Sequence, residues 1–193
     1  MNSKPKEKMK KLINKKSVFA LIGIMMLTVS FMLSNAYSQT QTGFTLTSLD
    51  GKTVSSTDLQ GKVVVLAVAA SWVPLSQNEA KSMKQLAANH SDVAFYWVFI
   101  DSTNPKSKNY ATDDQLRQYA RTHLLQMNVL RDSDGVQMKK FGVTQVPAFV
   151  VLDKNGKRFG QPLEGVDPDG DSSIQLEKII TAAQRTPTVY SYE

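Results

Sequence analysis

Residues 62–70 (KVVVLAVAA) carry no polar side chain after the leading lysine. A strand with one face in water alternates polar and apolar residues, because successive side chains point to opposite faces. This run does not alternate, and it is rich in β-branched valine. It predicts a central strand buried on both faces, as in domains whose sheet is covered on each side. Residues 93–100 (VAFYWVFI) predict a second such strand, and residues 148–152 (AFVVL) a third.

The segments between these runs read as helices and turns. Ala80, Met83, Leu86 and Ala87 recur at helical spacing, which predicts a helix from about residue 76 to residue 89. Thr112 followed three residues on by Gln115 has the pattern of a capping box. Leu116, Tyr119, Ala120 and His123 line one face of the helix it opens. Residues 44–46 alternate like a strand edge, and Leu49-Asp50-Gly51-Lys52 is a turn signal. Residues 127–130 predict a short strand and residues 136–141 a short helix. Asn155-Gly156 is a hairpin signal that leads into an expected strand at residues 157–159. Leu176, Ile179, Ile180 and Ala183 give the apolar face of a final helix, with Ser172 and Ser173 as candidate caps. The order is βαβα, a hairpin, then a helix. It predicts an α/β domain with a mixed central β-sheet flanked by helices.

The formal charge of +6 belongs to one end of the chain. Residues 1–16 hold seven lysines and one glutamate, and the remaining 16 basic and 16 acidic residues balance. A nucleic-acid-binding reading therefore loses its main support, because no basic stripe exists elsewhere. The lysines precede an uncharged apolar run over residues 17–33 and then small residues, which is the pattern of an export signal. Cleavage after Ala36 or Ser38 and retention as an N-terminal anchor helix both remain open. The lysine excess leaves the N-terminus in the cytoplasm and the rest outside. The expected organisation is a signal peptide or membrane anchor over 1–36, a linker over 37–43, a folded domain over 44–184 and a flexible tail over 185–193. The expected location is extracytoplasmic, in the periplasm or cell envelope. Membrane contact is expected through the N-terminal segment if it is uncleaved.

Two motifs carry the chemical argument. Ala70-Ser71-Trp72-Val73-Pro74-Leu75-Ser76-Gln77-Asn78-Glu79 follows the first central strand and opens a helix. It resembles the active-site segment of the TlpA/ResA group of exported thiol-disulfide proteins, which are redoxins related to the AhpC/TSA proteins. The pattern in that group is small-Trp-Cys-x-x-Cys-x-x-Glu. Trp72 and Glu79 hold their places, Val73 stands at the first cysteine position and Ser76 at the second. Downstream, residues 141–153 (FGVTQVPAFVVLD) resemble the segment of the same group that carries a cis-proline facing the two cysteines. Ala148 replaces the usual threonine. The resemblance runs from about residue 43 to residue 183 and implies a thioredoxin-like fold.

Dithiol chemistry needs a thiolate at a helix N-terminus, where the helix dipole and free N–H groups lower the cysteine pKa. A second cysteine resolves the mixed disulfide. Val73 neither ionises nor attacks, and the Ser76 alcohol is too weakly acidic to act without a base. The chain has no cysteine at all, so thiol exchange and peroxide reduction through a sulfenic acid are both closed to it. Nor is there a cysteine on which to build a lipoprotein anchor. A chain of this length buries a core without disulfides.

Binding survives the loss of the thiols. The resemblance implies that an extended peptide lies across the cis-proline loop and pairs with the backbone of Val146, beside Pro147. Trp72, Val73, Pro74 and Leu75 would form an apolar rim. The expected function is that of a polypeptide-binding, chaperone-like or redox-assembly accessory module without dithiol activity. Its partner would be an extended or partly folded polypeptide or a redox-assembly protein. Family resemblance alone carries the alternative of a thiol-disulfide oxidoreductase, and a structural envelope component is a third reading. No catalytic residue, cofactor or metal is expected.

Other chemistry finds no pattern. His90 and His123 are the only histidines, on different expected helix faces, and no nucleophile elbow surrounds Ser71 or Ser76. Asp167-Pro168-Asp169-Gly170-Asp171 has glycine at the fourth position of a would-be calcium loop and Lys178 at the twelfth, so it fails as an EF-hand. Zinc spacings, P-loops and dinucleotide fingerprints do not occur.

Overall fold

The computed structural model describes residues 43–74, 77–125, 127–165 and 172–188, and the backbone alone at residues 77–79. The N-terminal lysines and apolar run, Leu75, Ser76 and the acidic loop at 167–171 lie outside the described residues.

The first apolar run forms β3 (Val64–Ala69), buried at every position. It follows β1 (Thr45–Ser48) and β2 (Thr53–Ser55). It pairs parallel with β4 (Ala94–Phe99), from Val64 opposite Ala94 to Ala69 opposite Phe99. On its other edge it pairs antiparallel with β6 (Ala148–Leu152), with Val68 opposite Ala148. Its side chains face a core on each side of the sheet, and that is why no polar residue interrupts it. β5 (Asn128–Arg131) lies parallel to β4, and β7 (Leu163–Glu164) lies antiparallel to β6. Among the described residues seven strands form one mixed sheet in the order β2-β1-β5-β4-β3-β6-β7.

The two sides of β3 feed two cores. Val65, Ala67 and Ala69 join Phe95, Trp97, Phe99 and Val151 under the helices. Those helices are α1 (Gln77–Asn89), α2 (Asp113–Thr122) and α4 (Ser172–Gln184), which contribute Met83, Leu86, Leu116, Leu176 and Ile180. Val64, Leu66 and Val68 face Phe44, Leu46, Val98, Leu130 and Phe141 on the opposite side, where α3 (Val136–Lys140) adds Met138.

The capping box expected at Thr112 forms, whereas Ser172 and Ser173, expected as caps, are the first two residues of α4. The Thr112 hydroxyl accepts from the Gln115 N–H at 3.1 Å, and the Gln115 side chain accepts from the Thr112 N–H at 2.7 Å, closing the capping box. Asp132 accepts from the N–H groups of Gln137 (3.0 Å) and Met138 (2.8 Å) at the start of α3. Burial pushes its carboxyl pKa up, against the lowering effect of those bonds.

The end of the sheet corrects one expectation. The chain reverses at Asn155-Gly156, where the Gly156 N–H donates to the Asp153 carbonyl at 2.9 Å. Yet no strand forms at residues 157–159. The hairpin closes only through a bridge from Leu152 to Arg158, with the Asp153 N–H donating to the Lys157 carbonyl at 2.8 Å and the Phe159 N–H to the Val151 carbonyl at 2.7 Å, and the strand beside β6 is β7. Arg158 sends its Nη1 to the Phe141 carbonyl at 2.5 Å, and Pro162 has no N–H for a ladder. The short β2, paired with β1 through Val54 opposite Leu46, has no counterpart in the sequence reading.

Candidate binding site

The site begins where β3 and β4 stop. The Ile100 N–H donates to the Ala69 carbonyl at 3.0 Å, and the parallel pairing then passes into side chains. The Ser71 N–H donates to Asp101 Oδ2 at 3.1 Å, and the Ser71 hydroxyl donates to Asp101 Oδ1. Asp101 is entirely buried. Its neighbourhood is set by Arg131, whose Nη2 donates to the carbonyls of Ser102 (2.7 Å) and Ala111 (2.6 Å) while Nη1 donates to Asp113 at 2.5 Å. One guanidinium thus gathers the loop after β4 onto β5 and α2.

The turn after Ser71 is tight. The Val73 N–H donates to the Ala70 carbonyl at 3.0 Å. From α2, the Tyr119 hydroxyl donates to the Val73 carbonyl at 3.2 Å. The Tyr119 ring meets Phe99 edge-on at 5.4 Å and lies over His123 at 4.2 Å. Held from behind in this way, the turn presents Trp72 and Pro74 to solvent. Trp72 is 47% exposed and Val73 is half-buried. This indole is exposed in a chain that buries Trp97 fully.

The second wall comes from the loop before β6. The Val146–Pro147 peptide bond is cis. Continuing the β3–β6 register beyond Val68 and Ala148 sets Ala70 across from Val146. That brings the Ser71–Pro74 turn to the same end of the sheet as the proline loop. Val146 and Pro147 are half-buried. Among the described residues no hydrogen bond engages the Val146 N–H or carbonyl, whereas the Pro147 carbonyl accepts from the Gly165 N–H at 3.1 Å.

The loop is clamped from β7. Glu164 accepts from the Thr144 N–H at 2.5 Å and from the Thr144 hydroxyl at 2.8 Å, and these bonds hold its carboxyl below the usual glutamate range. Gly142, at φ +87°, leads into the loop, and a Cβ there would stand 2.6 Å from Arg158 Nη1.

Of the residues expected at the site, Trp72, Val73, Pro74, Val146 and Pro147 gather at this end of the sheet, while Leu75 and Ser76 lie outside the described residues. Sequence reasoning missed Asp101, Tyr119 and Glu164 as its supports. Among the described residues no group of three or more His, Asp or Glu side chains is placed to hold a metal ion. His90 is engaged elsewhere, with Nε2 2.7 Å from Glu177 Oε1. None of the described helices is long and apolar enough to cross a membrane.

This sheet, the turn that ends β3 and the cis-proline loop at the same end define a thioredoxin-like protein. The chain belongs to the AhpC/TSA family, whose sequence profile matches residues 38–157. It is 25% identical over 136 residues to the thiol-disulfide oxidoreductase ResA of Bacillus cereus, covering 70% of this chain and 74% of that one. It is 30% identical over 113 residues to the soluble secreted antigen MPT53 of Mycobacterium tuberculosis, covering 58% of this chain and 60% of that one. Among solved structures, it resembles a secreted Mycobacterium tuberculosis disulfide oxidoreductase homologous to E. coli DsbE. The TM-score is 0.55 at 27% identity, over 72% of this chain and 95% of that one.

Proposed function

We propose that this chain is an extracytoplasmic polypeptide-binding module, a thioredoxin-like protein that keeps a peptide-docking surface and has no dithiol chemistry. The reading rests on one pairing of facts. The chain has no cysteine, yet the loop before β6 leaves its Val146 peptide groups unbonded among the described residues. An N–H and C=O unbonded among the described residues, at the same end of the sheet as an exposed indole, suit an extended segment that adds as a strand. Valine in place of a reactive thiol makes the rim more apolar, which favours an apolar partner over a redox partner. Location outside the cytoplasm is supported by the basic-then-apolar N-terminus and by the relatives described as secreted. Partly folded chains and redox-assembly proteins both present such segments.

The test uses the full chain with a photoreactive amino acid at Val73 and reduced, carboxymethylated lactalbumin as an unfolded probe. Crosslinking is expected, and Trp72→Ala is expected to weaken binding about tenfold or more. An uncrosslinked probe, or turnover of insulin disulfides by the unaltered chain, would overturn the reading.

A further inference from the structure

A hollow of about 340 Å³ opens between α2 and the chain that follows β3. Ser71 lines one side, and Gln115, Gln118, Tyr119, Thr122 and His123 line the other. Tyr110 and Ala111 complete it. Lysine, arginine, aspartate and glutamate are absent from the lining. Hollows of this size hold small ligands, oriented by a few polar groups.

The charge that bears on it lies behind Ser71. Asp101 is entirely buried, and the Ser71 N–H and hydroxyl both donate to its carboxyl. Among the described residues it has no ion-pair partner. Arg131 comes close, with Nη2 donating to the Asp101 backbone carbonyl at 3.3 Å, but its Nη1 is bonded to the Asp113 carboxylate. A buried carboxylate without a counter-charge is costly, and a cation nearby offsets that cost.

Ser71 connects that carboxyl to the hollow. Its hydroxyl gives its one proton to Asp101, so it meets a ligand as an acceptor. Bonding to a carboxylate polarises it and strengthens it in that role. Tyr110 is 39% exposed, and the face of a phenol ring attracts a cation. Thr122 and Gln118 add exposed side-chain oxygens, whereas Gln115 commits its oxygen to the Thr112 N–H. Lys106 and Lys108, on the loop before Tyr110, are exposed and do not line the hollow.

We propose that this hollow binds a primary alkylammonium group, with Ser71 Oγ as acceptor, Asp101 as the buried counter-charge and the Tyr110 ring as an aromatic wall. A lysine side chain and a free aliphatic amine carry the same group, and the experiment separates them. The inference does not depend on the polypeptide-binding reading above.

The test follows amide chemical shifts of the full chain in detergent micelles, titrated with n-butylammonium and with n-butanol at about pH 8, where the amine keeps its charge. Butylammonium is expected to shift the Ser71, Tyr110 and Gln118 amides and to bind about tenfold or more tightly than butanol, its neutral counterpart. Asp101→Asn keeps an acceptor for Ser71 and removes the charge, and it is expected to bring the two ligands within about twofold of each other. Tyr110→Ala removes an exposed ring and leaves Asp101 in place, so it tests the site even if the first variant loses its fold. It is expected to weaken butylammonium binding about three- to tenfold. Circular dichroism checks the fold of both variants. Equal affinity for butylammonium and butanol, or shifts confined to other parts of the chain, overturns the proposal. A serine-glycine peptide with one central lysine, in plain and acetylated forms, identifies the source. Tighter binding than butylammonium that is lost on acetylation assigns the site to a lysine side chain, and butylammonium binding with no gain from the peptide assigns it to a free amine.

Discussion

Ser71 and Asp101 are joined twice, through the Ser71 N–H and through its hydroxyl, and the Asp101 carboxyl they meet is entirely buried. Among the described residues no lysine, arginine or histidine forms an ion pair with it. The two residues continue the parallel register of β3 and β4 beyond the last backbone bond, so the turn that bears Trp72 is bonded to the end of the next strand. A buried polar group that loses its partner costs about 1–3 kcal/mol, more than an average surface substitution. Ser71→Ala is therefore expected to lower the urea unfolding free energy by about 1–3 kcal/mol. A loss under about 0.5 kcal/mol would show that this bond does not hold the turn.

Tyr119 supports the same turn from the opposite direction. Tyr119→Phe keeps the ring against Phe99 and over His123 but removes the donor to the Val73 carbonyl. A single hydrogen bond of this kind contributes about 0.5–1.5 kcal/mol net. The global loss is expected to be that small, with the local effect larger in proportion. Amide exchange at Trp72 and Val73 should accelerate while exchange in β3 stays unchanged. Uniform acceleration across the sheet would place the role of the hydroxyl in overall stability rather than in the turn.

The parts legible in the sequence are those fixed by long local patterns. β3, β4 and β6 appear as unbroken apolar runs because each is covered on both faces, and the capping box of α2 appears because its two partners stand three residues apart. β2 is a Thr-Val-Ser segment with no pattern of its own, and it is a strand because β1 lies beside it. Asp101 reads as the first polar residue after an apolar run. It is buried and bonded to Ser71, which no local pattern connects to it. The Tyr119 helix face was legible, whereas the reach of its hydroxyl to Val73 depended on how α2 packs. The cis Val146–Pro147 bond was readable only through resemblance, since one proline in a chain looks like any other.

The Glu164 clamp on Thr144 gives the proline loop a pH dependence of known sign. Its carboxyl is held below the usual range in the folded chain by the Thr144 bonds. A group with a depressed folded pKa adds stability above its unfolded pKa, and that contribution is lost as pH falls through the folded value. Unfolded glutamate titrates near about 4.3. The stability gap between the wild-type chain and Glu164→Gln is therefore expected to be constant above about pH 5 and to close progressively below about pH 4. Parallel urea titrations from pH 3 to pH 7 measure it. A gap that widens in acid would mean the carboxyl is not the acceptor that matters.

Restoring the thiols tests how much of the redox scaffold persists. Val73→Cys with Ser76→Cys returns both positions of the family pattern at the end of β3, ahead of α1. The parts a dithiol site needs besides sulfur are a helix N-terminus to stabilise the thiolate, a facing proline loop and an exposed approach. α1 begins at Gln77, the proline loop lies at the same end of the sheet as the Ser71–Pro74 turn, and Trp72 stands open to solvent. Insulin-disulfide reduction by the double variant is expected to rise measurably above that of the parent chain, while Val73→Cys alone forms mixed disulfides that it does not resolve. If the double variant stays silent although both thiols react with a small alkylating agent, the helix terminus no longer activates a thiol.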